Sequence, residues 1–263
     1  MIKREFKVNF KSFIIWSMIL ITMFLIVFLV YPYIITDDTI KNLDEMMKVF
    51  PEDLLKAFNM DITSINTAYG WLKSEGLMFV LLIIGFYASM QGGTILLKEE
   101  NDKTIEYLGC LPHQRSKIVT NKIIVGITYI ILITIILGIF NYFSLLLSGD
   151  FNQKQYILLS ITPIIIGLPL FAMNLFISTF LHKTKKTVGI SLGLVFMFYL
   201  LNVLSELSTK ASILKYFSIY TLADTRNIIT ESSINPVNII ISLIITTIFI
   251  IGTYVRYNKK ELV

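Results

Sequence analysis

The stretch FIIWSMILITMFLIVFLVYPYII, residues 13–35, decides the fold. It carries no charged residue, and a helix needs about 20 consecutive, mainly apolar residues to cross the hydrocarbon core of a bilayer. Before it stands MIKREFKVNFK, with Lys3, Arg4, Lys7 and Lys11. A secretory signal also begins basic, but its apolar region runs only about 7–15 residues and ends at a small-residue cleavage site. Here the run is longer and continues into YPYIITDD, so it reads as an uncleaved membrane anchor.

Five further apolar blocks follow, at about 77–97, 118–147, 156–181, 188–207 and 236–257. The third is longer than one straight span needs and is expected to tilt or to project into the headgroups. The fourth contains Pro163, Gly167 and Pro169, which predicts a kink, because proline removes a backbone donor and crowds the preceding turn. Composition agrees: 55% of the residues are hydrophobic and 16% are charged, against about 25% charged in a soluble domain. A soluble fold scatters its apolar residues at helical or strand period, which these blocks do not do. Nor do they alternate over about 10 positions, as the strands of a membrane barrel must. The expected fold is all-α: one polytopic membrane domain over residues 1–263, with about six transmembrane helices.

Orientation follows from the basic residues near the span ends. The N-terminus, residues 98–117, residues 182–187 and the C-terminal tail together hold 14 Lys and Arg. Residues 36–76, 148–155 and 208–235 hold 8, spread over longer segments. The first group is therefore expected in the cytoplasm, with both termini inside. In the outer segment 36–76, Leu43, Met46, Met47 and Phe50 fall at helical spacing, as do Leu54, Leu55 and Phe58. Pro51 stands where a second helix can begin. Two short amphipathic helices on the outer membrane surface are predicted in this first extracellular loop.

Several chemistries find no support. Cys110 is the only cysteine, so no intrachain disulfide can form. The two histidines, His113 and His182, fall in loops between spans, and there is no HExxH pair for a metalloprotease. No GxxxxGK[ST] loop cradles a phosphate, and Gln91–Gly92–Gly93 at a span end reads as close helix packing. No basic stripe with interleaved aromatics points to nucleic acid. An ion-coupled carrier normally buries ionisable groups in its spans. Here Glu206 sits at an outer span end, and Lys122 lies near an inner one, from which it can snorkel. The driving force is expected to come from another chain.

The loop after the second block reads GGTILLKEENDKTIEYLGCLPHQRSKIVTNK. Asn101 or Asp102 can cap a short helix with Glu106 in its first turns, and Pro112 stops it. With Ile105 and Leu108 on one face, that helix is too short to stand alone and needs a surface to dock on. The stretch resembles the first cytoplasmic loop of type-2 ABC permeases, the membrane subunits of ATP-binding-cassette exporters. The resemblance rests on Gly92 and Gly93, the acidic pair Glu99 and Glu100, then Thr104, Glu106 and Leu108, then Pro112 and Arg115, and Lys122 entering the third span. Further likenesses are the outer segment VFPEDLLKAFNMD, the basic loop LHKTKK, the segment LKYFSIYTLAD and the tail RYNKKELV.

The resemblance implies that Glu99, Glu100, Thr104, Glu106, Leu108, Pro112, Arg115 and Lys122 form the loop that couples the spans to a cytoplasmic ABC ATPase. It implies a second permease copy or a paralogue as partner, and a bilayer around both. ATP and Mg would sit on the ATPase, with no cofactor and no catalytic or metal site on this chain. The expected activity is outward transport of an amphipathic compound, a drug or an antimicrobial peptide across a plasma membrane. Richness in Ile, Lys and Asn points to an AT-rich bacterial genome. The alternative is a membrane immunity or regulatory subunit that sequesters a toxic peptide without moving it.

Overall fold

The computed structural model describes residues 2–34, 67–102, 114–207 and 209–260. Within them all regular structure is helical. In chain order the elements are α1 (Ile2–Ile34), α2 (Ala68–Ile95), α3 (Lys98–Asn101), α4 (Arg115–Ser148), α5 (Gln153–Ser178) and α6 (Thr184–Leu207). Two 3₁₀ segments follow, Thr209–Phe217 and Ile219–Ala223, then α7 (Thr225–Glu231) and α8 (Pro236–Lys259). Six of these helices, α1, α2, α4, α5, α6 and α8, are long and apolar enough to cross a membrane. The all-α, six-span reading of the sequence therefore holds.

Helices run past the apolar blocks wherever no breaker stops them. The basic N-terminal stretch is not a separate tail but the first turns of α1, with Glu5 near the positive end of the helix dipole. On α2 the helix starts at Ala68, nine residues before the apolar block, so residues 68–76 belong to the span rather than to the loop before it. The reason is local: the Thr67 side chain accepts a hydrogen bond from the Gly70 amide at 3.0 Å, satisfying a free helix-end donor. The turn at Leu72–Gly76 is π-helical and lodges Lys73, Ser74 and Glu75 within the helix. The amphipathic helices expected at 43–58 lie outside the described residues.

At 34 residues, α4 is about 50 Å long at 1.5 Å per residue, well beyond the roughly 30 Å hydrocarbon core. It ends at Gly149, whose φ of 138° suits only glycine and turns the chain into α5. Helix α5 continues through Pro163 and Pro169. Asn235 caps α8, and Pro236 opens it at the first position, where its missing amide costs nothing.

The centre of the bundle is the α2–α5 pair. In their most apolar windows, 61% of α2 and 67% of α5 is buried, against 22%, 22% and 17% for α1, α6 and α8. Small residues allow the close approach. A Cβ on Gly92 would overlap the Phe171 carbonyl of α5, and one on Gly93 would stand 2.5 Å from Ser191 Oγ of α6. That is the packing role expected of the Gln91–Gly92–Gly93 run.

The two ends of the bundle differ. At one, the 3₁₀ segments fold in, and the buried Tyr220 hydroxyl fills the space a side chain at Gly85 would need. Gln155 ties this end together, accepting from Tyr69 Oη at 2.6 Å and donating to the Ile229 carbonyl at 2.6 Å. At the other end the two termini meet. Lys98 Nζ donates to the Val8 carbonyl at 3.0 Å, and Arg115 Nη1 donates to the Lys260 carbonyl at 2.8 Å.

Candidate functional site

The end that holds both termini contains a buried ionic cluster. Helix α3, a single turn following α2, carries Glu99 and Glu100. Successive helical residues point about 100° apart, so two adjacent carboxylates face different neighbours. Glu99 turns towards α1 and α4, and Glu100 towards α8 and the connection between α5 and α6.

On the first side Lys122 of α4 is only 1% exposed. Its ammonium lies 2.7 Å from each oxygen of Glu99, 3.2 Å from Glu5 Oε2 and 2.7 Å from the Ile95 carbonyl at the end of α2. Four helices, α1, α2, α3 and α4, thus converge on one nitrogen. Nearby, Tyr129 Oη of α4 donates to the Phe6 carbonyl of α1 at 2.7 Å. On the second side Lys260 Nζ lies 2.7 Å from Glu100 Oε1 and donates to the Leu181 carbonyl at 2.8 Å. His182 Nδ1 lies 3.2 Å from the other oxygen of Glu100. Among the described residues Arg115 forms no ion pair. Its guanidinium bonds the Lys260 and Asn258 carbonyls at 2.8 and 3.3 Å, satisfying acceptors at the C-terminal end of α8.

Burial makes these pairs consequential. Glu5, Glu99 and Glu100 are 3%, 6% and 8% exposed. A buried ion pair adds little net stability over an apolar replacement, but removing one partner costs about 3–5 kcal/mol, because the other charge is stranded. Such a cluster fixes where helices sit relative to one another. Lys98, the other charged residue on α3, has its pKa lowered by burial, a shift that Asp102 opposes.

The structure brings together Glu99, Glu100 and Lys122 from the sequence-predicted set, and sets Arg115 beside them through α8. Thr104, Glu106, Leu108 and Pro112 lie outside the described residues. One reading changes: Lys122 does not snorkel to the surface, because two carboxylates and a carbonyl satisfy it within the bundle. Each carboxylate of the acidic pair has a buried ammonium partner. Sequence reading missed Glu5, His182 and Lys260. One signal was available for Glu5, the lone acidic residue before Asp37 in a basic N-terminal region.

Among the described residues no group of three or more His, Cys, Asp or Glu side chains is placed to hold a metal ion. What the arrangement can do is mechanical: it joins α3, directly before residues 103–113, to α1, α2, α4, α8 and the α5–α6 connection. The sequence model described as "ABC-2 family transporter protein" matches residues 1–262. A search of curated proteins finds no match to the chain.

Proposed function

Since the chain belongs to the ABC-2 family of transporter proteins, we propose that this multi-pass permease exports its cargo by coupling, through residues 99–122, to ATP hydrolysis on a separate ABC ATPase. The observation that carries the reading is the burial of Glu99 and Glu100 in two ion pairs immediately before residues 103–113. A loop that merely joined two spans would have no use for a base anchored to so many helices. A loop that receives a push would.

In this reading the end with both termini faces the cytoplasm. Thr104, Glu106 and Leu108 contact the ATPase, Pro112 ends the contact segment, and Arg115 and Lys122 carry the movement into α4. ATP and its Mg stay on the partner. Displacement of residues 103–113 moves α3. The Glu99–Lys122–Glu5 pairs pass that movement to α4 and α1, and the Glu100–Lys260 pair passes it to α8. The thinly covered helices α1, α6 and α8 leave apolar surface for a second permease copy and for lipid. The cargo class that suits such apolar walls is an amphipathic compound, a drug or an antimicrobial peptide, moved outward across a bacterial plasma membrane.

The test is reconstitution of the permease with its ATPase in vesicles. Charge reversal at Glu106 and Arg115 is expected to reduce both ATPase co-purification and ATP-dependent cargo flux several-fold. Unchanged association and flux in both variants would overturn the coupling assignment.

A further inference from the structure

Two carbonyls of α5 lose their helical partner to proline. A proline has no amide hydrogen, and its ring crowds the carbonyl four residues back. Pro163 therefore withholds a donor from Leu159, and Pro169 withholds one from Ile165. In lipid such a carbonyl must find another donor, often a Ser or Thr hydroxyl. Leu159 is served from within its own helix, where Thr162 Oγ1 donates to its carbonyl at 2.7 Å. Ile165 is served from a different helix: Ser242 Oγ of α8 donates to its carbonyl at 2.6 Å. Ser242 is only 2% exposed, so solvent does not compete for the bond.

Helix α8 also grips the chain on the far side of Pro169. Lys260 Nζ, at the end of α8, donates to the Leu181 carbonyl just past α5 and pairs with Glu100. Between these two attachments the Phe249 and Phe176 rings lie 5.8 Å apart, and the Arg256 guanidinium lies 5.0 Å over the Phe180 ring. Gly252 allows this approach, since a Cβ there would stand 3.0 Å from the Phe176 ring. The spacings match. Ser242 and Lys260 are 18 residues apart, about 27 Å along a helix at 1.5 Å per residue. Ile165 and Leu181 are 16 residues apart, about 24 Å on the same measure. The buried residues of α8 are Ser242, Thr246, Thr253 and Tyr257, each with a hydroxyl. Thr246 and Thr253 donate to carbonyls of α8 itself, whereas Ser242 donates to α5.

We propose that α8 is a splint across the proline joint of α5, and that Ser242 is the positioning residue that fixes it there. The first half of α5 is held at Ile165 and the second at Phe176 and Leu181, so α8 sets the angle between them. It has no proline after its first position and is the stiffer of the two helices. Releasing either end frees the joint. The splint rests on bonds within one chain and does not depend on the coupling reading. That reading adds one consequence: a displacement at Glu100 reaches the middle of α5 along α8.

Electron–electron double resonance between two spin labels reads that angle. Cys110→Ser removes the native thiol. Labels are placed at Ile157→Cys on the first half of α5 and at Lys183→Cys just past its end, both exposed positions. The full chain is measured in maltoside micelles without an ATPase, so the result stands or falls apart from the coupling reading. The parent should give one narrow distance distribution. Ser242→Ala should broaden it about twofold. Lys260→Met combined with Glu100→Gln should do the same, because it releases the other end without stranding a charge. Pro169→Ala restores the missing amide, so in that background Ser242→Ala should change nothing. This comparison separates positioning from packing, since a packing loss would broaden the distribution in both backgrounds. The proposal is overturned if either release leaves the width at the parental value, or if Ser242→Ala broadens it equally with Pro169→Ala present.

Discussion

Glu99 and Glu100 are adjacent in the chain, yet their carboxylates belong to separate ion pairs: Lys122 Nζ lies 2.7 Å from Glu99, and Lys260 Nζ lies 2.7 Å from Glu100. One helical turn therefore holds the N-terminal helix and α4 on one side and the last helix on the other. This division lets the two pairs be tested independently.

For the first pair the order of effects follows from what each substitution strands. Lys122→Met leaves Glu5 and Glu99 buried and facing each other without a cation, the worst outcome, at about 3–5 kcal/mol. Glu99→Gln leaves Lys122 with Glu5 and the Ile95 carbonyl, so it should cost less. Adding Glu5→Gln and Glu99→Gln to Lys122→Met should recover much of the loss. Thermal unfolding of the purified chain in detergent reads this order, and a Lys122→Met protein that melts like the parent would contradict it.

For the second pair, Lys260→Met leaves Glu100, among the described residues, with His182 alone, whose side chain is 55% exposed. The melting temperature should drop by on the order of 10 °C, from about 3–5 kcal/mol at roughly 2–4 °C per kcal/mol. Glu100→Gln in the same chain should restore most of it, because the stranded charge is then gone. A double variant no better than Lys260→Met would mean that the lysine stem, not its charge, does the work.

The spans were legible because twenty apolar residues in a row have few other uses. Their true ends were not. Thr67 extends α2 through a single cap, and Lys73 and Glu75 enter the helix although a hydropathy window counts them against it. The acidic pair at 99–100 stood out as a pattern, but its partners did not. Glu5, Lys122 and Lys260 are far apart in sequence, and charge at a span end looks the same whether solvent or an opposite charge satisfies it. Only the meeting of α1, α3, α4 and α8 separates the two cases.

Glycines of the spans should divide sharply by what surrounds them. Gly92→Ala sets a methyl against the Phe171 backbone carbonyl, which cannot swing aside as a side chain can. The expected cost is about 1–3 kcal/mol or more, with the α2–α5 contact forced apart. Gly189→Ala on α6 meets nothing within 4 Å and should stabilise the isolated chain by about 0.5–1 kcal/mol through helix propensity. Detergent melts of the two variants check this, and an equal effect at both positions would show that the α2–α5 approach is looser than described.

The coupling reading predicts that binding the ATPase and moving the spans are separable. Residues 103–113 are where the partner is proposed to dock, whereas Glu99, Glu100, Lys122 and Lys260 are themselves buried. Replacing an ion pair with apolar or neutral partners of similar size, as in the combined Lys122→Met, Glu5→Gln and Glu99→Gln protein, strands no charge. The chain should therefore fold and still retain its ATPase, because nothing on the docking face has changed. What it loses is the geometric link from α3 to α1 and α4. Cargo flux per ATP hydrolysed should fall several-fold while ATPase co-purification stays at the parental level. Charge reversal at Glu106 should lower both together. If the neutralised protein transports at the parental ratio, movement reaches the spans by another route, and the buried cluster serves only to hold the bundle closed at that end.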